Sequence, residues 1–209
     1  MGLHVYVGNR PEGDLEEEIE PWKGRLSEAA GVPIDWNERA DAESFTGKLG
    51  SECYGALLLW AACEEHGAER PVTAENWEND STLRAALGET ASKYRHLLGN
   101  IEFWLPVDFS EPFLAENLFQ EEKVFGSSQR LAAELAALNE ATWKAGESEI
   151  SEWHRKTPEP GSPLEDSARF AFSVFSRLSS LAVQHRLPMK LDARAAGAPT
   201  DRTSATQEA

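Results

Sequence analysis

Alternation opens the chain. Leu3, Val5 and Val7 are separated by His4 and Tyr6, a period of two that predicts a strand over 3–8. Trp22 to Ala30 fits a short helix closed by Gly31 and Pro33. Residues 35–50 are polar and show no clear period. Ser51-Glu52 then reads as an N-cap followed by an acid in the first turn. The run from Cys53 to Cys63 is almost wholly apolar, so a helix over 51–66 is expected to have neighbours on several sides. Its end is marked by His66 in the last turn and Gly67 as a left-handed C′ residue.

A second helix is predicted over 82–96, with Leu83, Ala86, Leu87, Ala91 and Tyr94 on one face. Ile101 to Val107 is β-branched and aromatic and predicts a strand. Residues 108–125 read as a long connection, whose Phe109, Phe113, Leu114, Leu118 and Phe119 are expected to pack on the core. Ser127 or Ser128 caps a helix over 128–142 carrying Leu131, Leu135 and Leu138. Residues 144–163 hold Pro158, Pro160 and Pro163 and predict an exposed excursion. The longest helix is 165–185, with Phe170, Val174, Leu178 and Leu181 on its inner face, and Met189-Lys190-Leu191 suggests a last strand. The expected fold is therefore α+β: a single, mostly helical domain over 1–192, packed on a small sheet of about three strands (3–8, 101–107 and 188–191). Residues 193–209, rich in Ala, Thr, Ser, Gly and Pro, are expected to be a disordered tail.

Charge changes this picture. The chain has 209 residues, with 36 acids against 20 Lys and Arg, a formal charge of -16. Phosphate binding needs clustered Lys and Arg, so no nucleic-acid partner is expected. From Glu12 to Glu20 six of nine residues are acidic, a solvated face or a patch for a basic partner. No apolar run approaches a membrane span, and no signal-peptide pattern opens the chain, so a cytoplasmic location is expected. Cys53 and Cys63 lie ten residues apart on one predicted helix, about 15 Å, too far for a disulfide.

Motifs for chemistry are few. His4, His66, His96, His154 and His185 form no H-x-x-x-H or H-x-H, and there is no C-x-x-C. Neither a phosphate-binding glycine loop nor a G-x-S-x-G is present. No cofactor, no metal and no catalytic residue is assigned. The tryptophans are the unusual count, seven in all. Trp36, Trp77 and Trp153 sit between acids and polar residues, a setting that suits anchors in a protein interface. With Glu16, Glu17 and Glu18 they form the candidate partner-binding set, against the plainer reading that each tryptophan caps a local core cluster.

The segments Phe103-Trp104-Leu105-Pro106-Val107-Asp108-Phe109, Phe125-Gly126-Ser127-Ser128-Gln129-Arg130-Leu131 and Glu134-Leu135 resemble a group of uncharacterised bacterial proteins, some of them grouped with immunity proteins of toxin systems. The resemblance spans about residues 94–191. The polar cluster usual before the aromatic strand is replaced here by Leu98-Gly99-Asn100-Ile101-Glu102, so no role of that cluster transfers.

Three functions follow as expectations. The first is a non-enzymatic protein-binding module, such as an immunity-type inhibitor of a basic partner, steered by its acidic surface. The alternative is an enzyme with an unsignalled, hydrolase-like site in a pocket lined by Trp and carboxylates. The third, ranked last, is an acidic mimic of nucleic acid. The sequence sets no oligomeric state.

Overall fold

The computed structural model describes residues 2–8, 16–39, 42–87, 89 and 91–194. Its elements run β1 (Gly2–Val7), α1 (Glu16–Ala30), β2 (Phe45–Gly50), α2 (Ser51–His66), α3 (Ser81–Leu87), α4 (Arg95–Leu98), β3 (Phe103–Leu105), β4 (Phe113–Glu116), β5 (Glu122–Ser127), α5 (Ser128–Ala141), α6 (Glu147–Arg155), α7 (Leu164–His185) and β6 (Met189–Arg194). The fold is α+β, but the sheet has six strands in the order β2-β1-β6-β3-β5-β4. The expected three-strand sheet is corrected by the addition of β2, β4 and β5.

The reason lies in how the added strands are stabilised. In β2 the inward positions are Phe45, Gly47 and Leu49, and a Cβ on Gly47 would lie 2.6 Å from Val174 of α7. Glycine lets the strand touch the helix, and it also hides the period of two. Strands β4 and β5 carry Glu116, Glu122 and Lys123 among apolar residues, so tertiary pairing rather than local propensity makes them strands. All pairings are antiparallel except β3 with β5. After β3 the chain passes to the outer edge as β4 and returns between the two as β5.

The sheet has two different faces. On one, Leu3, Val5, Val7, Leu49, Trp104 and Met189 meet α2, α5 and α7 in the main core. On the other, Leu105, Phe109 and Phe125 meet Trp22 and Leu26 of α1 and Ile34 and Trp36 of the segment after it. Helix α2 is buried from Cys53 to Cys63, as its all-round apolarity predicts. Its N-cap is Gly50 rather than Ser51, and Gly67 at φ 61° closes it. The predicted helix 82–96 is two shorter ones, because Ser92 and Lys93 leave the helical path to bond Glu65 of α2 at 2.7 and 2.6 Å. Helix α6 occupies part of the predicted excursion. Of the predicted tail, Ala193 and Arg194 pair with Leu3 and Gly2, and 195–209 lie outside the described residues.

Candidate functional site: an acidic edge hairpin and its supports

Among the described residues, seven Lys and Arg side chains are each held by a carboxylate: Lys23, Lys93, Arg95, Lys123, Arg130, Arg169 and Arg186. Lys23 is buried, with its Nζ 3.1 Å from Asp35, 3.4 Å from Glu20 and paired also with Glu38. The same ammonium lies 4.6 Å from the ring centre of Trp36, and its hydrogen bond holds the Asp35 carboxyl below the ordinary carboxylate range. Lys93 meets Glu64 at 2.7 Å, Arg130 meets Asp108 at 2.6 Å, Arg169 meets Glu165 at 2.6 Å and Arg95 pairs with Glu111. Exposed pairs contribute about 0–1 kcal/mol each, so their main consequence is for the field. They leave exposed carboxylates such as Glu75, Glu78, Glu116, Glu122, Glu149 and Glu152 without an ion pair among the described residues.

Two of these face each other. In the β4–β5 hairpin Leu114 lies opposite Val124 and Glu116 opposite Glu122. Residues opposite each other on antiparallel strands share a face, with Cβ atoms about 4.5–5.5 Å apart. That face therefore presents two apolar side chains beside two carboxylates. Leu114 is 57% exposed, and Phe119 at the tip is 59% exposed. On the opposite face Phe113 stacks on Phe125 with ring centres 5.6 Å apart, and Lys123 reaches Glu102 at 3.1 Å and Glu121 at 3.7 Å. The tip is built rather than loose. Asn117, buried, accepts from the N–H groups of Phe119 and Glu121 at 2.8 and 3.0 Å, an Asx-type turn. Leu118 packs inward while Phe119 points to water. Helix α1 braces the hairpin through Trp22, whose Nε1–H donates to the Glu116 carbonyl at 2.9 Å.

A second polar constellation is wholly internal. His96 is 0% exposed. Its Nδ1 accepts from the Ser127 N–H at 2.9 Å, which leaves Nε2 to donate to the Ser110 carbonyl at 3.1 Å. The ring is neutral, and burial lowers its pKa to about 4. Glu134 of α5 accepts from the N–H groups of His96 and Leu97 at 3.0 and 2.9 Å, covering the open donors at the start of α4. Burial raises the Glu134 carboxyl to about 8 against those two bonds. Trp104 Nε1 donates to the His96 carbonyl at 2.8 Å, and Ser127 Oγ caps α5 by accepting from the Arg130 N–H at 3.2 Å. With every polar group turned inward, this set holds α4, α5 and β5 together and offers no face to a substrate. A nearby cleft of about 230 Å³ has Glu89, Arg95, Glu111, Leu87 and Val124 in its wall and no tryptophan.

The predicted site residues fall in separate places. Glu16, Glu17 and Glu18 begin α1, and their side chains lie outside the described set. Trp36 is 7% exposed, edge-on to Trp22 at 5.6 Å in the smaller core. Trp77 is half-buried over α2, where a Cβ on Gly55 would lie 2.2 Å from its ring. Trp153 is half-buried between Trp143, Phe172 and the Arg169 guanidinium. No ring contact links the three tryptophans. The hairpin residues escaped the sequence reading because a register, not a motif, brings Glu116 to Glu122. Leu114 and Phe119, expected from the sequence to pack on the core with Phe113 and Leu118, are instead exposed.

The model of a family described as "Putative DNA-mimic protein" matches residues 1–189. No curated protein and no solved structure matches the chain. The resemblance to immunity proteins is corrected by this match, which is to a different family. The expectation of a partner unrelated to nucleic acid is corrected with it, because the description of the matched family names mimicry of DNA.

Proposed function

The chain belongs to this DNA-mimic family, and from that premise we propose that it is a non-enzymatic acidic protein that occupies the DNA-binding face of a DNA-binding protein. The family match carries the reading. The charge layout supports it physically. Duplex DNA presents one negative charge per about 1.7 Å of axis, and proteins that bind it expose Lys and Arg whose favourable interactions need a dense, uncompensated negative surface. A net charge of -16, with the cations Lys23, Lys93, Arg95, Lys123, Arg130, Arg169 and Arg186 each held by a carboxylate, supplies such a surface. Association between opposite charges is steered at long range and weakens with salt. The acidic start of α1, Glu16 to Glu18, belongs to the steering surface in this reading.

The test is competition. A labelled duplex is bound to a Lys/Arg-rich DNA-binding protein that lacks sequence preference, and the full chain is titrated in at low and moderate salt. Release of the duplex at low salt, weakening as salt rises, is the expected result. Reversing the charge of Glu16, Glu17 and Glu18 together is expected to slow the release. A duplex that stays bound at low salt under excess chain would falsify the mimic reading.

A further inference from the structure

Some carboxylates of this fold are held by a cation, as Glu64 is by Lys93 and Glu102 and Glu121 are by Lys123. Glu116 and Glu122 are not. They stand opposite each other in the register, and no cation pairs with either among the described residues. Like charges placed directly across two strands destabilise the pair. On the same face, next along each strand, Leu114 faces Val124, and Leu114 is more than half exposed. Phe119 stands out from the tip on a turn fixed by Asn117. Folding alone accounts for neither an unrelieved carboxylate pair nor two large apolar side chains in water at the same hairpin.

Elements that read DNA combine two chemistries. Arginines and lysines hold phosphates, and apolar side chains touch thymine methyl groups in the groove. A surface that replaces DNA in front of such an element gains from offering both carboxylates and apolar contacts at matching places. The hairpin does so, and its apolar strip runs on from Val124 to the cleft walled by Leu87 and Pro112. The deeper anchoring is also in place, because Trp22 holds the backbone of Glu116 and α1 backs the sheet behind it. A rigid presentation lowers the ordering cost of binding.

Resting on the mimic reading, we propose that the β4–β5 hairpin is the element a DNA-binding partner grips. Glu116 and Glu122 take the arginines and lysines that otherwise hold phosphates. Leu114, Val124 and Phe119 take the partner's apolar base-reading side chains. The occupant is thus a basic, groove-reading segment with apolar residues interleaved among its cations, rather than a uniformly cationic surface.

The experiment uses the full chain and one synthetic probe, a helical peptide with Lys and Arg on one face and leucines interleaved. Binding is measured with the native chain, with Glu116→Gln plus Glu122→Gln, with Leu114→Ser plus Phe119→Ser, and with Glu149→Gln plus Glu152→Gln in α6 as a control of equal charge change. Amide and methyl NMR shifts map the footprint. The expected result is a footprint on 114–124 and an affinity loss of about tenfold in each hairpin variant, with the α6 variant close to native. Equal loss in both glutamine variants, or a footprint away from the hairpin, overturns the inference and leaves the mimic reading standing. Hairpin variants that self-associate while binding the probe normally also overturn it, since the glutamates would then only guard an edge strand. If the probe fails to bind and the chain also fails to release duplex DNA in the competition assay, the mimic reading itself falls and the inference with it.

Discussion

The two ends of strand β5 use glutamate in opposite ways. At its C-terminal end Ser127 gives its N–H to His96 and its hydroxyl oxygen caps α5 by accepting from the Arg130 N–H, and about two turns on Glu134 receives two N–H bonds. At its N-terminal end Glu122 faces Glu116 in water and neither carboxylate has a cation among the described residues. The inner acid is surrounded by donors and holds elements together. The outer pair works against its own hairpin. A high acid count by itself does not distinguish these two uses. Burial and partners do, and only the second kind adds to a surface that resembles a phosphate backbone.

The contrast breaks most sharply at the inner end. Glu134→Ala leaves two buried N–H groups without an acceptor, and each such loss costs about 1–3 kcal/mol. A destabilisation of about 3 kcal/mol is expected in urea titration, with release of the indole and imidazole contacts visible by Trp fluorescence. A loss under about 0.5 kcal/mol, the range of ordinary surface substitutions, would mean that α4 does not depend on the clamp.

Acidity and alkalinity probe the same cluster next. Burial holds Glu134 at about 8 against an ordinary 4.5, so the folded chain keeps a proton that the unfolded chain has released, and stability is lost as pH rises through 8. His96 is held at about 4 against an ordinary 6.5, so the unfolded chain takes up a proton first as pH falls, and stability is lost as pH falls through 4. Between 4.5 and 6.5 the two effects oppose. Above 6.5 Glu134 acts alone, and a fall of about 2 kcal/mol between pH 6.5 and 8 is expected. Melting temperature against pH measures it, and Glu134→Gln should abolish the alkaline fall. A native curve that is flat from 6.5 to 8 would show that Glu134 is already ionised in the fold.

At the outer end Asn117→Ala removes the side chain that fixes the hairpin tip. A loss of about 1 kcal/mol is expected, with faster amide exchange confined to the tip. Affinity for a basic, groove-reading peptide should fall as well, since Phe119 loses its fixed direction. Exchange that spreads into α5 would contradict the separation of the two ends.

How much of this was legible in the sequence depends on where each element's stabilisation comes from. Helix α2 was read to its ends, because eleven consecutive buried residues leave one interpretation. Helices α5 and α7 followed from leucine and phenylalanine spacing, and Ser127 was named as one of two possible caps. Strand β2 was not legible, since Gly47 replaces the apolar residue that would mark its inner face. Nor was the break between α3 and α4, which depends on Glu65 from a distant helix. Glu134 stood in view within Glu134-Leu135, but its partners lie 37 and 38 residues away. The acidic run at the start of α1 drew attention by its density. The hairpin pair, Glu116 and Glu122, is six residues apart and carries no motif, and only the register makes it a site.

The smallest effect is the most telling for function. Glu122→Gln removes one of two facing like charges, so the hairpin should gain a few tenths of a kcal/mol, within the range of about 0.2–1 kcal/mol for cross-strand pairs. The gain should shrink in high salt, where exposed charges are screened. Glu116→Gln should do the same, and the two gains should not add, because either change alone ends the repulsion. Affinity for a basic partner should move the other way and fall. Opposite signs for stability and binding are what a carboxylate kept for recognition produces. If Glu122→Gln instead destabilises the fold, the residue supports structure, and the two ends of β5 differ in burial only.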